Sequence, residues 1–153
     1  MSPARAISFT LDGDQTVIAQ YAPDTSPCTL AVQSNQPLKV TSRTYNKTSA
    51  GTYGQYYDGY VSSDGLSSGQ SAYLAMLTEN AEYRTNIAVT NTGTASAQVT
   101  VTLYNASGGT LTSYGVSLAP GESKQENQPF KNKAGQTNMS GGYAKVTVNS
   151  GSG

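Results

Sequence analysis

The run AQVTVTLYNASGGTLTSYGVSL, Ala97–Leu118, decides the fold class. Val99, Val101 and Leu103 alternate with Thr100, Thr102 and Tyr104, then the chain breaks at Asn105-Ala106-Ser107-Gly108-Gly109. Beyond the break an every-second-residue pattern resumes through Leu111, Val116 and Leu118. A period of two sends alternate side chains to opposite faces of a strand, and a Gly-rich break between two such runs marks a hairpin. The expectation is an all-β domain with Val99, Val101 and Leu103 turned into its filling.

The same pattern recurs outward in both directions. Ala6–Leu11 leads through Asp12-Gly13-Asp14 into Thr16–Tyr21; Leu30–Ser34 and Leu38–Tyr45 flank an Asn35-Gln36-Pro37 turn; Gly51–Tyr60 reads as extended. Val61–Gly69, rich in Ser, Gly and Asp, reads as a linker. Ser71–Leu77 reads as a buried strand, followed by a Glu79–Glu82 turn, and Tyr83–Thr90 as a strand closed by Asn91-Thr92-Gly93. After Ala119-Pro120-Gly121-Glu122 comes the polar strand Ser123–Phe130. Lys131–Gly142 reads as a loop with room for one helical turn near Lys131–Gln136, and Tyr143–Val148 is the last strand. Short strands punctuated every ~8–12 residues are the pattern of a sandwich or barrel. Weak internal similarity, Ile7–Gln15 to Val116–Lys124 and Leu30–Ser34 to Val146–Ser150, adds a second reading. Residues 1–153 form one sandwich, strands 6–60 packing with 70–150 across 61–69, or else two partial repeats, 1–60 and 70–153.

Composition narrows the function. Of 153 residues 36% are hydrophobic and 12% charged, with nine basic and nine acidic side chains, 19 Ser, 19 Thr, 16 Gly and 11 Tyr. The surface is solvated by hydroxyls and amides rather than by ions. The charges form no basic stripe, which argues against nucleic acid and anionic lipid as partners. Lys124, Lys131 and Lys133 are interrupted by Glu122 and Glu126 and read as a solvated edge. The longest apolar run, Ala72–Leu77, falls far short of a membrane span of roughly 20 residues. No apolar core follows Met1-Ser2-Pro3-Ala4-Arg5, so an exported parent would be represented here by a mature form or fragment.

Two motifs resemble a known family. Ser42-Arg43-Thr44-Tyr45-Asn46 followed by Gly51-Thr52-Tyr53-Gly54-Gln55 is similar to the "SRTYN…GTYGQ" signature of exported bacterial tandem immunoglobulin-like β-sandwich repeats. Tyr83–Ile87, Val89–Gly93, Val99–Tyr104 and Leu118–Glu122 resemble the "FRTNLGLVNTG…LAPGE" run of the same repeats. The resemblance implies an immunoglobulin-like antiparallel sandwich in an extracellular, cell-surface or periplasmic setting, and no particular reaction. Those repeats usually run one strand beyond the region matching Val146–Gly153, which predicts unpaired edges. Either the N-terminal strands close the sandwich, or a neighbouring molecule donates a strand.

Chemistry is constrained by what is missing. There is no histidine, so Ser-His-Asp and Cys-His nucleophiles are excluded. A single Cys28 forms no intrachain disulfide and no zinc site. No cofactor or metal is expected: Asp12-Gly13-Asp14 lacks the oxygens a calcium loop needs, and the glycines match no nucleotide loop. The local acid pairs Asp12/Asp14, Asp58/Asp64 and Glu79/Glu82 all fall in predicted turns, as capping or solvated groups. The sequons at Asn46, Asn105 and Asn138 match chance expectation in so Ser/Thr-rich a chain.

The remaining candidates are Tyr53, Tyr56, Tyr57 and Tyr60. Period-two geometry puts Tyr53 and Tyr57 on one face, Tyr56 and Tyr60 on the other. In a chain with no Trp and two Phe they read first as packing residues. A displayed pair would instead suit sugar stacking or protein contact. Three functions follow in order: a non-enzymatic structural or adhesive module, self-associating by strand pairing; a carbohydrate-binding module using the tyrosines; and a small carboxylate-dependent hydrolase.

Overall fold

A computed structural model describes residues 5–6, 30–32, 34 and 37–151. The expected turn at Asp12–Asp14, the strand Thr16–Tyr21 and Cys28 lie outside the described residues. Within them the protein is mostly β, with antiparallel sheets, as the alternation predicts. The strands are β1 (Arg5–Ala6), β2 (Leu30–Ala31), β3 (Thr41–Thr48), β4 (Gly51–Asp58), β5 (Ser71–Glu79), β6 (Asn86–Thr90), β7 (Ala97–Tyr104), β8 (Thr110–Leu118), β9 (Ser123–Asn127) and β10 (Met139–Ser150). A six-residue helix, α1, spans Pro129–Ala134.

The larger sheet runs β5-β10-β7-β8, and β6 and β9 form a separate pair. Val99, Val101 and Leu103 of β7 are 5%, 1% and 0% exposed, so the alternation in the opening run is a core alternation. They pack with Ala144, Val146 and Val148 of β10, Ile87 of β6, Leu118, Phe130 and Met139. The outward set answers in polar pairs, Thr102 with Ser113 at 2.9 Å and Ser71 with Thr147 at 2.8 Å. β3 and β4 pair in full register from Thr41↔Asp58 to Thr48↔Gly51, and β1 and β2 make a two-residue parallel bridge.

The hairpin of β7 and β8 carries one irregularity that explains its sequence. Leu103 lies opposite Thr112 but Tyr104 lies opposite Thr110, so Leu111 is an extra residue in β8. Such a bulge shifts the side-chain alternation by one. Leu111 and Val116, an odd number of positions apart, therefore both pack on the core. Asn105 ties the loop: its Oδ1 accepts from the backbone N–H of Gly109 at 2.7 Å and of Ser107 at 3.1 Å. Gly108 adopts φ +88°, where a side chain would be strained.

Several predicted boundaries move, each for a tertiary reason. The strand expected over Leu38–Tyr45 is Thr41–Thr48, because it follows its partner β4. Tyr83–Thr90 begins only at Asn86, after Asn80 Oδ1 has drawn the N–H groups of Glu82 and Tyr83 into a turn. Ser123–Phe130 stops at Asn127, and the expected loop Lys131–Gly142 is replaced by α1 and the start of β10. Pro129 occupies the first helical turn, and Gly135 at φ +66° ends it by donating to the Lys131 carbonyl. The expected linker 61–69 contains a 3-10 turn at Ser62–Asp64, packs Leu66 on the core and bonds Gly69 N–H to the Val148 carbonyl.

Candidate functional site

The β3–β4 hairpin carries the sequence candidates. Its register places Arg43 opposite Tyr56, Tyr45 opposite Gly54 and Ser42 opposite Tyr57. Residues directly opposite share a face. One face therefore holds Arg43, Tyr45, Tyr56 and Asp58, the other Ser42 and Tyr57. Tyr56 is 57% exposed, Tyr57 46%, Tyr45 48% and Tyr60, just past the hairpin, 81%. Core packing thus fails to account for Tyr56, Tyr57 and Tyr60. Tyr53 lies in β4 opposite Asn46; its side chain is outside the described residues.

Polar groups hold this surface in place. Asp58 Oδ1 accepts from Lys39 Nζ at 2.8 Å and from the Tyr56 hydroxyl at 2.8 Å. The Lys39 bond, then the Tyr56 bond, holds the Asp58 carboxyl below its ordinary range. The Tyr56 phenol is raised, chiefly because its proton is held by Asp58. Arg43 donates to Thr52 Oγ1 at 3.0 Å and sits 5.4 Å over the Tyr45 ring. The result is two exposed rings flanked by an ion pair and a guanidinium. Tyr45, Arg43 and Lys39 were missed as members of this surface. They belong to it through a register set by the Ser49-Ala50 turn, which has none of the usual hairpin residues.

A second feature has no warning in the sequence. Between β8 and β9 lies a cleft of about 550 Å³, its floor lined by Ile87, Val89, Val101, Tyr114 and Val116. Lys124, Gln125, Glu126 and Lys133 line it as well. The Tyr114 hydroxyl is buried with no hydrogen-bond partner among the described residues. Burial, then the charge of Glu126, drives its pKa upward, so the group stays a protonated donor. Lys133 Nζ lies 5.5 Å over the same ring and bridges to Glu126 at 3.1 Å. A smaller pocket of about 260 Å³ lies on another side of the core, between Tyr60–Leu66 and Val146/Val148.

A third aromatic group crosses the outer face of the larger sheet. Tyr104 and Tyr143 stack with centroids 4.5 Å apart and planes 6° apart, and Tyr73 leans on Tyr143 at 6.3 Å. Cross-strand pairing of β7, β10 and β5 assembles them from positions far apart in the chain.

The acidic pairs separate into structural duties. Asp64 caps its own turn by accepting from Val61 N–H, and Asp58 serves the hairpin. Glu122 accepts from Ala119 N–H at 2.8 Å, which depresses its pKa more than neighbouring Lys124 does. Glu79 corrects the expectation of a solvated turn residue. It ends β5, is 2% exposed, and its two oxygens accept from Lys131 N–H at 2.8 Å and Phe130 N–H at 3.3 Å. These are orphan donors of the first turn of α1. The described residues contain no group of three or more Cys, Asp or Glu able to hold a metal, and no helix long and apolar enough to cross a membrane.

No family model, curated protein or solved structure matches the chain.

Proposed function

We propose that this protein is a non-enzymatic structural or adhesive module, an immunoglobulin-like sandwich from an exported or cell-surface bacterial protein, that associates with itself through strand edges. The observation that carries the reading is the pair of open edges around one cleft. Among the described residues β8 ends the larger sheet, β9 has β6 alone as its strand partner, and apolar side chains line part of the space between them. An unpaired edge over accessible apolar surface is a template for another strand. Support comes also from the acidic side chains Glu79, Glu122, Asp58 and Asp64, each engaged by backbone or lysine partners. The resemblance of the two motif runs to exported tandem repeats supplies the extracytoplasmic setting. Light scattering over a hundredfold range of concentration tests it. Rising mass is expected, and a constant monomer mass overturns self-association.

A second reading rests on the hairpin surface: a carbohydrate-binding module. Tyr45 and Tyr56 share a face with Arg43 and Asp58, combining ring faces for stacking with fixed polar groups for sugar hydroxyls. Retention on polysaccharide gels that Tyr56→Ala and Tyr60→Ala abolish would support it; unchanged binding on a glycan array would remove it.

A further inference from the structure

We infer that the β3–β4 surface takes an acidic polysaccharide, one whose uronate rings are interspersed with neutral ones, and that Arg43 and Lys47 hold its carboxylate. This inference rests on the carbohydrate-binding reading of that surface and names the chemical class of its ligand.

The register gathers the cations. Arg43, Tyr45 and Lys47 alternate along β3 and share the face that carries Thr52, Tyr56 and Asp58 of β4. The Arg43 guanidinium reaches along the strand to donate to Thr52 Oγ1 at 3.0 Å, and its carbon lies 5.4 Å from the centre of the Tyr45 ring. Lys47 lies directly opposite Thr52. Both positive side chains therefore serve the Thr52 end of one face, and both are exposed.

Neither charge is answered. The ion pairs among the described residues are Lys39–Asp58, Lys124–Glu122 and Lys133–Glu126, and Arg43 and Lys47 enter none of them. In a chain with as many acids as bases, two neighbouring uncompensated cations are a local excess that attracts an anion. The guanidinium is also held in place beforehand by a ring and a hydroxyl, so less freedom is lost on binding. Thr52 uses one of its five N–H donors, and the remaining fork matches a carboxylate.

The other end of the face asks for hydroxyls. Asp58 lies six residues from Thr52, ~20 Å along β4. Its Oδ1 is engaged by Lys39 and the Tyr56 hydroxyl, and a carboxylate keeps further lone pairs that accept from sugar hydroxyls. A polymer with an anion at every unit, such as polyphosphate or single-stranded nucleic acid, would set one against Asp58. A glycan with intermittent acid seats its carboxylate at Arg43 and Lys47 and lays neutral rings toward Tyr56 and Asp58. The half-exposed rings of Tyr45 and Tyr56 supply the apolar surface between the two ends.

The test titrates the full-length protein at low ionic strength with hyaluronate, in which uronate rings alternate with neutral ones. Its methyl ester, which keeps the rings and removes the charge, is the comparison. Hyaluronate is expected to bind about tenfold more tightly, since two exposed cations act on it together. Arg43→Gln and Lys47→Gln should each weaken that binding about twofold to fivefold, the range of an exposed charge pair, and the double variant about tenfold. Lys131→Gln, which removes an exposed cation on α1, should change nothing. Equal or absent binding of hyaluronate and its ester, with retention on neutral polysaccharide gels, overturns the acidic ligand and leaves the carbohydrate reading standing. Polyphosphate bound as tightly as hyaluronate, or Lys131→Gln as damaging as Lys47→Gln, overturns the inference in favour of bare charge attraction. Binding to no polysaccharide, acidic or neutral, overturns both the inference and the reading beneath it.

Discussion

Removing the Glu79 carboxylate should unravel the junction between β5 and α1. Glu79 lies at 2% exposure, 2.8 Å from Lys131 N–H and 3.3 Å from Phe130 N–H. Hydrogen bonds to a charged group contribute about 1.5–3 kcal/mol each, and the longer of these two belongs at or below the bottom of that range. The positive end of α1 adds a few tenths more. Against this stands the desolvation of the buried carboxylate, which the intact protein has already borne. Glu79→Ala strips both acceptors and leaves two donors enclosed, one of them on Phe130, which is fully buried. A loss of about 2–4 kcal/mol is expected from these terms. At about 3 °C per kcal/mol for a chain of this size, the midpoint falls by ~6–12 °C. Glu79→Gln keeps one acceptor and turns an amide donor toward the other N–H, so it should recover only part of the loss. Urea unfolding followed by far-ultraviolet dichroism, with the slope compared between variants, measures both. A Glu79→Ala loss below about 0.5 kcal/mol, typical of an ordinary surface change, would refute the capping argument.

Three further outcomes follow from other contacts. Asn91, 2% exposed, donates from Nδ2 to the Ala95 and Ala119 carbonyls and accepts from Gly93 N–H, so Asn91→Ala should cost about 2–3 kcal/mol in the same assay. A Cβ on Gly142 would stand 2.9 Å from the Tyr104 carbonyl oxygen and 3.0 Å from Phe130, so Gly142→Ala should destabilise by at least about 1 kcal/mol as backbone or core gives way. Glu122 has its pKa lowered on folding, first by Ala119 N–H and secondarily by Lys124. Its contribution is present above the unfolded value of 4.5 and fades as pH falls through the lower folded value; Glu122→Gln should flatten the acid limb of a stability–pH curve, and an unchanged limb would refute the assignment.

What the chain announces locally, it announces well. Alternation at Val99, Val101 and Leu103 is a property of neighbouring residues, and it marked the hairpin of β7 and β8; the apolar run Ala72–Leu77 marked β5 as a strand but wrongly as a buried one, since Tyr73 and Met76 are 63% and 81% exposed on an edge of the larger sheet. One-turn helical propensity near Lys131 was also legible, though displaced by two residues, since Pro129 sets where the turn begins. By itself the sequence determined an all-β chain with neutral, hydroxyl-rich faces and no histidine chemistry. Tertiary structure alone decided the rest. Glu79 and Phe130 are 51 positions apart, so no local pattern could mark that glutamate as a buried cap. Tyr73, Tyr104 and Tyr143 form one group because β10 pairs with both β5 and β7. The β8/β9 cleft exists because two sheets diverge after a four-residue turn. Side-chain period is written along the backbone, whereas strand order and sheet separation arise from which distant segments bury one another.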